Sequence, residues 1–220
     1  MKLSKGTVAL MKNLATINSN LLIRPGSKLN TISADKTVAA EVETEESFDT
    51  QFGIYDLPEF LGVMSLFEDP ELEFSDRYLT ISEGKNSIRY LPADESVLIF
   101  PKSATQKFPA DAEVEFEIKA EQIQQVIRSA SVLKVPGVTV QGDGETLKLV
   151  VHDKGNVNSN RFNIELGETD KTFSFNLKTE KLKMVAENYK VQISSKKVAR
   201  FQGNKKTYLL ACETDSTYEG

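Results

Sequence analysis

The chain of 220 residues holds one histidine, one cysteine and no tryptophan. Nucleophilic or metal chemistry would start from those two residues, and neither has company. His152 ends an apolar run with no nucleophile beside it, so a structural imidazole is the expected role. Cys212 follows Tyr208-Leu209-Leu210-Ala211, the setting of a core thiol. One cysteine forms no internal disulfide and no cysteine metal cluster, and one histidine excludes histidine-rich metal sites. Gly142-Asp143-Gly144-Glu145 begins like a dinucleotide loop, but it lacks the third glycine and sits between two strand-like runs. It reads as a hairpin turn. The sequence has no phosphate-loop lysine motif and no Gly-x-Ser-x-Gly elbow. Glu43, Glu45, Glu46 and Asp49 offer carboxylates to a divalent ion without the alternating spacing of a calcium loop. No nucleophile, base and orienting group stand together. The expectation is a protein that is not an enzyme and carries no metal or cofactor; a hydrolase built on the acidic clusters has little support.

The chemistry that remains is ionic. The formal charge is −5, which argues against a protein coated in nucleic acid. The charge is unevenly spread, however. Residues 1–40 carry Lys2, Lys5, Lys12, Arg24, Lys28 and Lys36 against Asp35 alone, residues 41–117 are 14 charges to the acid side, and residues 118–220 are 4 to the basic side. Leu3 to Ile17 reads as an amphipathic helix with Leu3, Leu10, Leu14 and Ile17 in one apolar stripe. Lys5 and Lys12, seven residues apart, superpose on the opposite face with Lys2 close by. No acid interrupts them. A solvated face usually mixes both signs, so an all-basic one is an anomaly.

Elements to position that face follow from periodicity. A second helix is expected from Asp56 to Phe67, with Leu57, Phe60, Leu61 and Met64 inward, Asp56 as N-cap and Pro58 near the start. Asp56, Glu59 and Glu68 make it acidic. A third runs from Glu121 to Ser131, with Ile123, Val126, Ile127 and Ala130 inward. A short fourth runs from about 178 to Glu187. Alternating runs predict strands around Val38–Val42, Phe48–Ile54, Leu72–Phe74, Tyr78–Ile81, Ile88–Tyr90 and Val114–Ile118. More follow at Val138–Val140, Leu147–Val151, Phe162–Leu166, Phe173–Leu177, Tyr189–Ser194, Val198–Gln202 and Thr207–Cys212. Pro25-Gly26 marks a turn, Asp153–Asn160 a polar loop and Glu213–Gly220 a polar tail. Helix starts recur at a spacing of roughly 55 residues, the mark of an internal repeat. Pro92, Pro101 and Pro109 flank the apolar run Val97-Leu98-Ile99-Phe100, read as an interdomain connector over about 92–109; an ordinary edge strand is the alternative. The fold class is α+β, with domains at 1–108 and 109–220, each of two helices packed on antiparallel sheets. No run reaches the ~18 apolar residues of a membrane span and no signal-peptide core opens the chain, so a cytoplasmic setting is expected.

Several motifs then combine in order along the whole chain. Met1-Lys2-Leu3-Ser4-Lys5, Lys12-Asn13 and Ala15-Thr16-Ile17-Asn18-Ser19 open it. Ile54-Tyr55-Asp56-Leu57 with Phe60-Leu61-Gly62, Glu117-Ile118-Lys119-Ala120-Glu121 with Gln124-Gln125, Asn188-Tyr189-Lys190 and Asp215-Ser216-Thr217 continue it. Together they resemble the sliding clamps of T-even-type bacteriophage DNA polymerases. The resemblance implies a DNA clamp fold and a ring-forming homotrimer around duplex DNA. Twelve helices spaced at roughly 10 Å would leave an opening of about 28 Å once the helix bodies are subtracted. It places Lys5 and Lys12 on the first lining helix, Lys119 and Arg128 on the third, Lys183 on the fourth, and Lys2 nearby, all facing phosphate without reading sequence. Lys178 and Lys181 count only as charge. The resemblance further implies a partner-peptide pocket near the connector, with Val97, Leu98, Ile99, Phe100, Phe108 and Leu210 as contributors. Implied partners are the replicative polymerase through its C-terminal peptide, an ATP-dependent clamp loader, and a late-transcription sigma-like factor with its co-activator, in the host cytoplasm. The rival reading is a monomeric repeated α+β peptide-binding scaffold with no DNA role.

Replacing Lys5 and Lys12 together by Glu is expected to weaken loading onto DNA and to flatten its dependence on salt, with assembly intact. A dispersed oligomer in light scattering would instead assign those lysines to a subunit contact.

Overall fold

The computed structural model describes residues 1–75, 77–103 and 107–220. The chain divides into two compact units, Met1–Gln106 and Lys107–Gly220. In the first, helix α1 (Lys5–Ile17) precedes strands β1 (Leu21–Ile23), β2 (Gly26–Ile32), β3 (Val38–Phe48) and β4 (Phe52–Ile54). Helix α2 (Leu57–Met64) then leads to β5 (Glu71–Phe74), β6 (Leu79–Glu83) and β7 (Asn86–Tyr90). The second unit has β8 (Val114–Ile118), helix α3 (Ala120–Leu133), β9 (Gly137–Asp143), β10 (Thr146–His152), β11 (Phe162–Glu168) and β12 (Thr172–Lys178). It closes with β13 (Tyr189–Ser194), β14 (Val198–Gln202), β15 (Lys206–Ala211) and the two-residue β16 (Thr217–Tyr218).

In the first unit β1 pairs with β4, β2 with β3, and β5-β6-β7 form a meander, all antiparallel. From Val38 to Thr44, β3 alternates buried and half-buried positions, as a strand with one apolar face must. Onto it packs α1, burying Thr7, Met11, Leu14 and Ile17. The buried stripe therefore runs one step round from the expected one: Leu10 is half-buried and Thr7 takes the inward place. Thr7 tolerates burial because its hydroxyl donates to Glu46 of β3, while its backbone N–H donates to the Ser4 hydroxyl, 3.1 Å away, which caps the helix. The other Glu46 oxygen accepts from the Ser4 backbone N–H. One carboxylate thus spans the positive end of α1.

In the second unit β11-β10-β9-β12-β16 are hydrogen-bonded in that order, and β8, β13, β14 and β15 pair in succession. Gly142 ends the β9 register rather than opening a phosphate loop. A Cβ there would lie 2.5 Å from the Phe173 ring, so close packing demands glycine, and Gly144 supplies the turn with φ +88. On α3 the buried stripe is Ile123, Val126 and Ala130; Ile127, expected inward, is 41% exposed. The expected fourth helix is absent, and Thr179–Lys181 forms a single 3₁₀ turn. The reason lies in the hydrogen bonds. Val185 donates its N–H to the Tyr208 hydroxyl and accepts from the Tyr189 hydroxyl, so side chains hold the backbone groups a helix would need. Leu182 and Met184, two apart, are both buried, the period of extended chain. The polar tail also holds a short strand, β16, paired to β12, and the unforeseen β1 and β2 pair with β4 and β3.

Burial by itself would raise the Glu46 pKa, but the hydrogen bonds from Thr7 and Ser4 outweigh it and hold the carboxyl below its ordinary 4.5. A depressed acid contributes stability above its unfolded value and loses it as pH falls through the folded one. Glu46→Gln should therefore lower stability at neutral pH and show a smaller further loss than the parent chain below about pH 4.5, measured by denaturant unfolding against pH. Parallel curves would show that Glu46 is not linked to folding.

Candidate nucleic-acid and partner interfaces

Burial of one face of α1 sets what the other face presents. Lys5, Ala9, Lys12 and Thr16 are all exposed, at spacings of 4, 3 and 4 that keep them on one side of the helix. Neither lysine forms an ion pair among the described residues. Lys119 and Arg128 are likewise exposed and unpaired among the described residues. Lys119 is the N-cap residue of α3, where the Gln122 side chain accepts its backbone N–H at 2.9 Å and Asn188 accepts that of Ala120 at 2.9 Å. Arg128 projects with Gln124, Gln125 and Ser131 from the exposed side.

The other expected cations differ. Lys183 is exposed but lies in the extended run after the 3₁₀ turn, not on a helix. Lys2 is ion-paired with Asp69, which leaves it less charge to offer a phosphate. Lys181 is held by Glu213 at 2.7 Å with its side chain 11% exposed, so it is a structural cation. The acidity of α2 also resolves. Asp56 caps its own helix, accepting the Glu59 N–H at 3.0 Å. Glu59 accepts from the Tyr90 hydroxyl at 3.4 Å. Glu68 lies beyond Met64, where α2 ends.

The connector is ordered as far as the structure describes it, with residues 104–106 outside the described residues. A 3₁₀ turn at Glu95–Val97 leads into extended chain. Val97 and Ile99 are 57% and 42% exposed, whereas Leu98 between them is buried against β4. Leu98 therefore anchors the segment and does not line an open pocket. Phe100 is half-buried beneath the Arg24 guanidinium, 5.1 Å from the ring centroid, and Arg24 also donates to the Pro101 carbonyl at 3.2 Å. In the second unit Phe108 is half-buried under Arg200 at 4.5 Å. Leu210 is wholly buried in the β15 core row; its inward register excludes it from any exposed pocket. Asn18, Asn20 and Arg24, which tie the connector down, escaped sequence reasoning because their partners lie about 80 positions away.

His152 is half-buried and Cys212 is buried. The Thr139 hydroxyl donates to the Asn176 side-chain oxygen at 2.7 Å and lies 2.8 Å from the His152 Nε2. Burial, with help from Arg161 and Lys154, lowers the His152 pKa. The ring borders a cleft of about 390 Å³ that also takes in Asn176 and Asp215. The hydroxyl within reach of the ring, that of Thr139, is buried and donates to Asn176.

Comparison with known proteins gives one answer for both units. Residues 2–100 match the family described as DNA polymerase processivity factor, and residues 115–214 match the gp45 sliding clamp, C terminal. The sliding clamp of Enterobacteria phage T4 is 33% identical over 232 residues, spanning 100% of both chains. That of Vibrio phage KVP40 is 31% identical over 219 residues, spanning 97% of this chain and 99% of the relative. Among solved structures, A. fulgidus PCNA bound to the C-terminal region of FEN-1 superposes with a TM-score of 0.72 at 14% identity, covering 99% of this chain and 100% of that one. The Helicobacter pylori beta clamp bound to a DNA ligase peptide gives 0.65 at 20% identity, covering 100% and 68%.

Burial pushes the Cys212 thiol up to about 12, so the reactive thiolate is scarce at pH 8. The folded chain should resist a disulfide reagent at that pH and react fully once denatured; rapid labelling of the native chain would place Cys212 on an opening segment.

Proposed function

This chain belongs to the sliding-clamp family of T4-type phages, the DNA polymerase processivity factors, and on that premise we propose that it acts as a closed homotrimeric ring threaded by duplex DNA. The ring tethers the replicative polymerase through that enzyme's C-terminal peptide. The observation that carries this reading is the face of α1: Lys5 and Lys12 exposed, with no acid on the helix. Such cations favour phosphate at every base sequence alike, which is what a sliding contact needs. With Lys119 and Arg128 of α3 they supply four cations per chain for the lining, and Lys183 lies on the non-helical fourth element. Each chain brings three α-helices among its described residues, with the 3₁₀ turn Thr179–Lys181 in the place of the expected fourth helix.

Ring closure needs surfaces for a second copy. The outer edge of β11 has no strand hydrogen-bonded to it among the described residues, and an unpaired edge invites another chain. Phe162 at its start is 38% exposed. Val132 on α3 is 72% exposed, and on the first unit Leu66 and Leu91 are 71% and 69% exposed. Large apolar side chains left open on both units favour association between copies. Opening such a ring onto DNA is work for an ATP-dependent clamp loader, and the absence of a phosphate-loop motif in this sequence is in keeping with that division of labour. The exposed Val97 and Ile99 favour the connector as the partner segment, for the polymerase and for a late-transcription sigma-like factor with its co-activator. This work takes place in the cytoplasm of the infected host.

After loading, the protein should stay on nicked circular duplex and leave linear duplex by sliding off the ends. Light scattering should give the mass of three chains. Equal release from both DNAs at moderate salt would remove the topological mechanism, and a monomer at every concentration would favour a peptide-binding scaffold without a DNA role.

A further inference from the structure

Ile99 is an extended residue whose backbone, among the described residues, is held by two side chains. Its N–H donates to the Asn20 side-chain oxygen at 2.8 Å, and its carbonyl accepts from the Asn18 side-chain nitrogen at 2.7 Å. Both asparagines make further bonds. Asn18 also donates to the Ile32 carbonyl at 3.0 Å, Asn20 donates to the Tyr55 carbonyl at 2.6 Å, and the Asn20 backbone N–H donates to the Asn18 side-chain oxygen at 3.0 Å. Asn18 is the C-cap residue of α1, and Asn20 is 7% exposed. Three points of the first unit, namely the ends of β2 and α1 and the loop before α2, are thus bound to one residue of the connector. With Leu98 buried and Arg24 gripping Pro101, Val97 and Ile99 have no alternative but to face outward.

We propose that Asn18 and Asn20 are positioning residues for partner binding: they lock the connector in the extended form that presents Val97 and Ile99 to an apolar partner peptide. The inference rests on the reading of the connector as the partner segment. Its physical content is preorganisation. A connector already fixed at Ile99 loses little conformational freedom when a peptide docks, whereas a loose one must be ordered at the expense of affinity. Asn20 holds the peptide plane before Ile99 and Asn18 the one after it. The same side chains join the connector to the end of the helix that bears Lys5 and Lys12, so the partner segment and the phosphate-facing helix are one mechanical piece.

The test uses the full-length assembly and a synthetic peptide of the last ~10 residues of the polymerase from the same phage, a length typical of short-motif recognition. Asn20→Ala removes the bonds to both Ile99 and Tyr55 and should weaken peptide binding about fivefold in calorimetry, the equivalent of one hydrogen bond. Amide hydrogen exchange at Ile99 should accelerate in step. Asn20→Asp keeps an acceptor for the Ile99 N–H but sets a carboxylate oxygen against the Tyr55 carbonyl in place of the amide donor, so at neutral pH it should weaken binding at least as much as Asn20→Ala. If Asn20→Ala fails to assemble, Asn18→Ser, which gives up the bonds to the Ile99 and Ile32 carbonyls, reads the same effect. A fall in melting temperature with unchanged affinity would overturn the proposal and leave the asparagines purely structural. Val97→Asp with Ile99→Asp tests the underlying reading separately: unchanged affinity there removes the connector as partner segment, and the proposal with it.

Discussion

Burial of Met11, Leu14 and Ile17 against β3 is the constraint from which the functional surface of the first unit follows. Each such side chain contributes about 1.5–3 kcal/mol when removed from water, while an exposed lysine contributes well under 1 kcal/mol by any surface pairing. The apolar residues therefore decide how α1 is rotated, and the lysines go where that rotation sends them. Lys5 and Lys12 end on the open face because Thr7, Met11 and Leu14 occupy the closed one. Glu46 makes the arrangement rigid by bonding the Ser4 N–H and the Thr7 hydroxyl together. The same helix ends in Asn18, whose side chain reaches the connector. One apolar stripe thus sets the phase of the cationic face and the starting point of the connector's anchorage.

Charge acquires its meaning only from pairing and place. A formal −5 says little about a protein whose cations are sorted among faces. Lys2 and Lys181 stand close in sequence to the phosphate-facing candidates, yet both are engaged by carboxylates, Asp69 and Glu213. Asp56 and Glu59, which make α2 look hostile to DNA, are turned to local tasks, one capping its helix and the other receiving the Tyr90 hydroxyl. A contact meant to slide benefits from few, unpaired, sequence-blind cations, and Lys5, Lys12, Lys119 and Arg128 fit that description.

The repeat was legible at the level of strands and three helices, because alternation and the 3.6-residue period are local properties. It failed at the fourth helix, where Tyr189 and Tyr208, residues outside the segment, take the Val185 backbone groups. It failed at β1 and β16, strands of three and two residues too short for any period to show, and at the seven-residue β2, where Leu29, Asn30 and Thr31 are buried in a row and no alternation appears. Leu98 and Leu210 were sorted with Val97 and Ile99 because all are apolar. Which of them faces outward depends on the surface each strand meets.

By itself the sequence determined the α+β class, the exclusion of familiar catalytic motifs, the family resemblance and the all-basic face of α1. These rest on residue identity and on periods of two to four residues, which a chain carries with it unfolded. Only the tertiary structure decided which lysines stay unpaired, which apolar residues of the connector are exposed and what holds it. The Asn18, Asn20 and Ile99 contacts join positions about 80 residues apart, and nothing in either stretch encodes the other. Hydrogen bonds at that separation come into being when hydrophobic packing brings the strands and helices together, so their geometry is a product of the fold and not of local pattern.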